Sequence, residues 1–127
     1  MEKLDIFLGQ KRKINAVYKR ILGRVPFIGF QEESEGGQSS CWSTAVLFKK
    51  RIDIPSLQKE LRNTGIPSRR VFMPLIEFPP FKKYKKGDYR NAYYVYERGL
   101  CLPSSTLNSE ADICYVCDVI IKLLKDN

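Results

Sequence analysis

Cys114 and Cys117 form a CxxC pair, the most conspicuous chemical spacing in this 127-residue chain. Such a pair serves redox or metal chemistry at an exposed helix N-terminus, or opposite a second cysteine pair. Neither condition is met by the sequence. The pair falls inside a helical pattern that opens near Ser109, with Cys117 on its apolar stripe and no second CxxC elsewhere. The remaining cysteines, Cys41 and Cys101, fall on predicted strands. All four therefore read as structural, because a buried cysteine packs as a small hydrophobe.

The other candidates narrow quickly. The chain has no His, which removes the Ser-His-Asp and Cys-His nucleophile systems and the histidine zinc sites. Gly36-Gly37 lacks the flanking pattern of a phosphate loop or a dinucleotide fingerprint. The acidic residues are scattered, and no spacing brings two of them together. One segment, FKKYKKGDYRNAYYVYER at 81–98, interleaves basic and aromatic residues as nucleic-acid binders do. It carries no RNP-like pattern and no helix-turn-helix spacing. Nucleic-acid binding is therefore carried as a third reading.

The charge fits a nucleic-acid or acidic-surface binder and equally a general solubilising excess. Lys and Arg number 22 against 14 Asp and Glu, a formal net charge of +8. The excess is segmented into 11–24 and 81–90, with an acidic loop at Glu32, Glu33 and Glu35 between them. Hydrophobic residues are 43% of the chain, ordinary for a folded domain. No apolar run approaches the roughly 18 residues of a membrane span. The charged N-terminus does not read as a signal peptide. A single cytoplasmic domain with free thiols and no membrane partner is expected.

The elements that must position any site follow from periodicity. Residues 2–22 predict an amphipathic helix with Leu4, Phe7, Leu8, Ile14, Tyr18, Ile21 and Leu22 on one stripe. Gly23 and Pro26 end it. That helix begins at Met1 with no capping sequence before it, as if entered partway. Residues 31–40 read as a polar loop and 41–48 as a strand covered on both faces. Asp53 caps a short helix closed by Gly65. A short strand is expected around Val71–Met73, then a loop or single turn over 77–88. Asp88 opens a helix to Arg98, and residues 100–103 form a strand. Ser109 and Asp112 hold capping-box spacing before a final helix with Ile113, Val116, Cys117, Ile120 and Leu124 inward. The pattern predicts an α+β domain, a small, mostly antiparallel sheet of about three strands packed with four helices. The alternation also permits a small α/β layout.

Longer motifs add a resemblance. GIPSRRVFMPLIEFPPFKKY, residues 65–84, resembles a stretch of the DegT/DnrJ/StrS-type sugar aminotransferases. Gly65, Ile66, Arg69, Phe72, Pro74, Pro79 and Phe81 match that motif without a gap. GLCLPSSTLNSEADICYV, residues 99–116, is similar to the family's closing segment. The first helix is similar to its long interdomain helix, and Trp42 to the aromatic that opens a strand there. The spacing around 80–92 looks most like the perosamine-synthetase-like branch. Two positions depart: Arg70 stands in place of the usual Pro, and Ile76 in place of a frequent His.

The resemblance implies the small C-terminal domain of a fold-type I enzyme, residues 1–127, with the large domain absent. The intact enzyme is implied to use pyridoxal phosphate, held by a lysine, to move an amino group from glutamate to a keto-sugar nucleotide. None of the lysines here lies in that cofactor motif, so this chain alone is expected to hold no cofactor and to be inactive. Arg69, Phe72 and Glu77 are the expected substrate contacts, with no catalytic or metal residue assigned. The missing large domain is the expected partner, and self-association the expected consequence of its absence. A non-catalytic binding or regulatory module keeping this fold is the second reading.

Overall fold

The computed structural model describes residues 2–126. Helix α1 spans Leu4–Leu22 and follows Lys3, whose side chain makes no capping bond. Met1, where the sequence pattern places the uncapped start, lies outside the described residues. The expected apolar stripe needs correcting along its length. Ile14, Val17, Tyr18 and Leu22 are buried, but Leu4 and Phe7 are exposed. Only the second half of α1 packs on the core.

Four strands follow, not three: β1 (Ile28–Phe30), β2 (Ala45–Phe48), β3 (Arg69–Arg70) and β4 (Gly99–Cys101). They form one sheet in the order β1-β2-β4-β3. Every neighbouring pair is antiparallel, which rules out the α/β alternative. β1 was hidden because three residues, one of them Gly, give no alternation to read. β2 starts at Ala45 rather than Cys41, because Cys41 adopts the left-handed backbone (φ 50°) and breaks the extended run. Trp42 therefore stays out of the sheet. β3 is Arg69–Arg70 rather than Val71–Met73, and β4 runs over Gly99–Cys101 rather than 100–103.

Helix α2 (Ile54–Asn63) is capped as its sequence predicts. Asp53 accepts from the Ser56 N–H at 3.2 Å. At its far end Gly65 takes φ 79°, and the Ile66 and Gly65 amides bond back to the Leu61 and Arg62 carbonyls. That double bond closes the helix and buries Ile66 against it. A 3₁₀ turn (Leu75–Glu77) and a one-turn helix α3 (Pro79–Lys82) lead to α4 (Arg90–Arg98). α3 makes five helices where four were expected. Tyr89 is the N-cap of α4, while the Asp88 carboxylate accepts from the Arg90 N–H at 2.9 Å. Helix α5 (Glu110–Asp126) opens on the expected box: Ser109 N–H donates to Asp112, and Asp112 N–H donates back to Ser109 Oγ.

The core lies on one face of the sheet. Ile28, Val46, Phe48 and Leu100 meet Tyr18, Leu22, Leu61, Ile113 and Ile120 from the helices. α1 and α5 pack against each other above them. The buried Tyr18 hydroxyl donates to the Pro103 carbonyl at 2.8 Å, tying α1 to the segment between β4 and α5. Burial pushes the Cys117 thiol up to about 12, so it packs here as an apolar group. A side chain at Gly99 would collide with Val71 and the Val95 carbonyl, so the turn from α4 into β4 needs glycine.

The division of faces gives a direct test. Phe48→Ala empties the core and is expected to cost about 3–5 kcal/mol of unfolding free energy. Phe72→Ala, at an exposed position, is expected to change it by less than about 0.5 kcal/mol. Urea unfolding followed by circular dichroism measures both, and equal losses would contradict this placement of the core.

Candidate functional site

Alternation along the short strands sends one row of side chains away from the core. Ala45, Cys101 and Arg69 are cross-strand partners and lie on that second face. Arg69 thus stands on the edge strand next to Cys101. Burial holds the Cys101 thiol above its ordinary range, against the pull of a Ser43 hydrogen bond and the Arg69 charge. Trp42, 70% exposed, sits just before this row.

The entry to β2 is clamped. Lys11 on α1 donates to the Trp42 carbonyl at 2.9 Å and to the Ser104 carbonyl. Ser104 Oγ accepts from the Thr44 N–H at 2.9 Å, and buried Thr44 reaches Asn15 at 3.3 Å. One helix therefore fixes two loops beside the open face. The sequence places Lys11 only within the basic segment 11–24, and no spacing rule pairs it with residues 31 and 93 positions away.

Phe72 lies just past β3 and is 81% exposed, more than Trp42. It begins an apolar run in which Met73, Leu75, Phe78 and Phe81 are also exposed. Glu77 ends the 3₁₀ turn within that run. Its carboxylate accepts from the Tyr93 hydroxyl and from Lys85 Nζ at 3.2 Å. Lys85 also reaches the Tyr93 hydroxyl at 3.1 Å. The Tyr93 bond, then the Lys85 bond, hold the Glu77 carboxyl below its usual range.

The three residues expected from sequence are thus placed differently. Arg69 joins the open sheet face, Phe72 projects from the run beside it, and Glu77 is engaged by α4 and the loop before it. No hydrogen bond or ion pair joins the three. Arg70, the departure from the motif, stacks on Tyr96 at 4.2 Å and donates to the Tyr96 carbonyl at 2.9 Å. Ile76 is partly buried within the turn. A cavity of about 420 Å³ lies instead between α1 and the polar loop, lined by Asn15, Lys19, Glu33, Ser39, Cys41 and Thr44 among others. Among the described residues no cluster of acidic or sulfur side chains forms a metal site, and no helix is long and apolar enough to cross a membrane.

Comparison with known proteins adds scale to this geometry. The family model of the DegT/DnrJ/EryC1/StrS aminotransferases matches residues 1–121. The chain is 27% identical to the GDP-perosamine synthase of Escherichia coli O157:H7, over 99% of this chain and 34% of that protein. The fold superimposes on the aminotransferase TlmJ of Streptoalloteichus hindustanus with a TM-score of 0.87 at 21% identity, covering 98% of this chain and 34% of TlmJ. It also superimposes on the Escherichia coli GDP-4-keto-6-deoxy-D-mannose-3-dehydratase with bound hydrated PLP. There the TM-score is 0.80 at 23% identity, covering 94% of this chain and 32% of the dehydratase. The chain thus spans about a third of the length of these relatives.

The lysines described here do not fit a Schiff-base role. Such a lysine is activated by loss of its charge in a desolvated pocket. Every described lysine but Lys11 is exposed, and Lys11 is committed to two carbonyls. The Tyr93 and Glu77 partners of Lys85 hold its ammonium above the ordinary lysine range.

The Glu77 arrangement predicts a pH response with a defined sign. A carboxyl depressed in the folded state contributes stability above its unfolded pKa and loses it as pH falls through the folded value. In an NMR titration of the Glu77 carboxyl carbon, the midpoint is expected below the ordinary glutamate range. Tyr93→Phe is expected to move it upward, and an unchanged midpoint would show that the Tyr93 bond does not hold the group.

Proposed function

This chain belongs to the DegT/DnrJ/EryC1/StrS aminotransferase family, and on that premise we propose that it is the small domain of a pyridoxal phosphate-dependent nucleotide-sugar aminotransferase. The cofactor and its lysine belong to the remaining two-thirds of such an enzyme. This domain covers the sugar side of the shared site. The intact enzyme transfers an amino group from glutamate to a keto-sugar nucleotide, a reaction matched to the perosamine synthase relative.

The observation that carries this reading is the exposed apolar run from Phe72 to Phe81. It lies within the family-matched segment, on a chain one-third the length of its relatives. Contiguous apolar surface of this kind marks a docking face. The large domain is its occupant, and α1 adds Leu4, Ile6 and Phe7 to the same exposed apolar inventory. Arg69 and Phe72 then meet substrate from the open sheet face. Arg69 offers a planar fork for a phosphate or carboxylate, and Phe72 a ring for the sugar. Glu77, held by Tyr93 and Lys85, sets the position of the turn and presents a fixed carboxylate to a sugar hydroxyl. The domain is soluble and cytoplasmic on this reading, and without its partner it self-associates.

Two measurements test the proposal. The isolated chain is expected to bind a hydrophobic dye and to sediment as concentration-dependent oligomers; a dye-silent monomer at high concentration counts against the docking face. A chimera joining this chain to the complementary two-thirds of the perosamine synthase is expected to transfer the amino group. In that chimera Arg69→Ala is expected to raise KM for the nucleotide sugar about tenfold or more, the loss of a charged hydrogen bond. A chimera that binds cofactor yet stays inactive would sink the assignment.

A further inference from the structure

A separate cleft opens at the other end of β4, where β2 leads into α2 and α4 runs into the sheet. Its volume is about 700 Å³. Arg51, Arg70 and Arg98 line it from three different segments, together with Asp53 and Glu97. The three guanidinium groups outnumber the two carboxylates of the lining, which leaves the cleft with an excess of positive charge. Among the described residues, none of the three makes an ion pair with a carboxylate. Asp53 turns one oxygen to the Ser56 N–H of its own helix.

Two of the guanidinium planes are already fixed. Arg98 donates to the Lys49 carbonyl at 2.8 Å and stacks on Tyr94. Arg70 donates through Nη2 to the Tyr96 carbonyl and stacks on that ring. These contacts use few of the donors each group carries. Arg70 Nε is buried with no acceptor at all, the kind of orphan that marks a missing partner. Arg51 is exposed and has no bonded partner among the described residues.

We propose that Arg51, Arg70 and Arg98 form a binding site for a phosphate-bearing ligand, taking its oxygens on their N–H edges. Paired N–H donors match phosphate oxygens two at a time, which a lysine cluster does not. Arg70 and Arg98 are held ready by aromatic stacking, and Arg51 closes from the loop. The site is distinct from the open sheet face around Arg69 and does not depend on the aminotransferase reading.

Isothermal titration with inorganic pyrophosphate tests this on the chain as it stands. Wild type is expected to bind at one site per chain. Arg51→Ala is expected to weaken binding at least tenfold while leaving the unfolding midpoint unchanged, because Arg51 supports nothing in the fold. Arg70→Gln is expected to weaken binding by a similar factor. Lys82→Ala with Lys83→Ala, which removes twice the charge of Arg51→Ala from a different surface, is expected to change affinity less than twofold. A nucleoside diphosphate binding more tightly than pyrophosphate identifies a nucleotide as the ligand; equal affinity identifies the diphosphate group alone. Absence of saturable binding to wild type, or equal losses in the Arg51 and Lys82–Lys83 variants, overturns the proposal.

Discussion

Strands of two to four residues cannot hold a sheet together by their own ladder bonds. This domain depends on α1 and α5 packing together over one face of the sheet. Tyr18, Leu22, Ile113 and Ile120 supply that cover, and the Tyr18 hydroxyl satisfies the Pro103 carbonyl within it. The bond matters because a buried carbonyl left unpaired costs free energy comparable to a lost hydrogen bond. With α1 and α5 committed to one face, Ala45, Leu47 and Cys101 on the other stay half-buried and Arg69 is exposed. The open face is thus a consequence of the packing, before any question of chemistry arises.

The two faces divide the labour. The covered face is apolar and chemically silent, with the Cys117 thiol held neutral by burial. The open face and its rim carry Arg69, Trp42, Phe72 and the Glu77–Tyr93–Lys85 network. These groups are positioned by contacts between distant segments: Lys11 to two loops, Lys85 and Tyr93 to Glu77. The chain belongs to the DegT/DnrJ/EryC1/StrS family and spans about a third of the length of the relatives it matches.

Much of this was legible in residue order because local rules governed it. The Asp53 cap and the Ser109–Asp112 box obey spacings of three residues, and Gly65 closes α2 as glycine does. The motif around 65–81 located Arg69, Phe72 and Glu77 along the chain. What stayed hidden was non-local. β1 is too short to show a period, and Cys41 breaks β2 through a left-handed backbone that residue type does not announce. The stripe on α1 looked continuous from Leu4, but burial depends on what lies opposite, and nothing lies opposite its first turns. The gathering of Arg51, Arg70 and Arg98 could not be read at all, since topology alone brings residues 51, 70 and 98 to one end of the sheet.

That half-packed first helix has a mechanical side. A helix rises 1.5 Å per residue, so the span from Leu4 to Lys11 extends roughly 10 Å beyond the Lys11 clamp. It is a stiff arm rooted in the core and pinned near its base by Lys11. A pivot of about 5° at that root sweeps the tip by roughly 1 Å and strains the Lys11 bonds to both loops. Whatever grips the Leu4–Phe7 end therefore holds a handle on Trp42 and Ser104, and motion there is felt at the mouth of the open face.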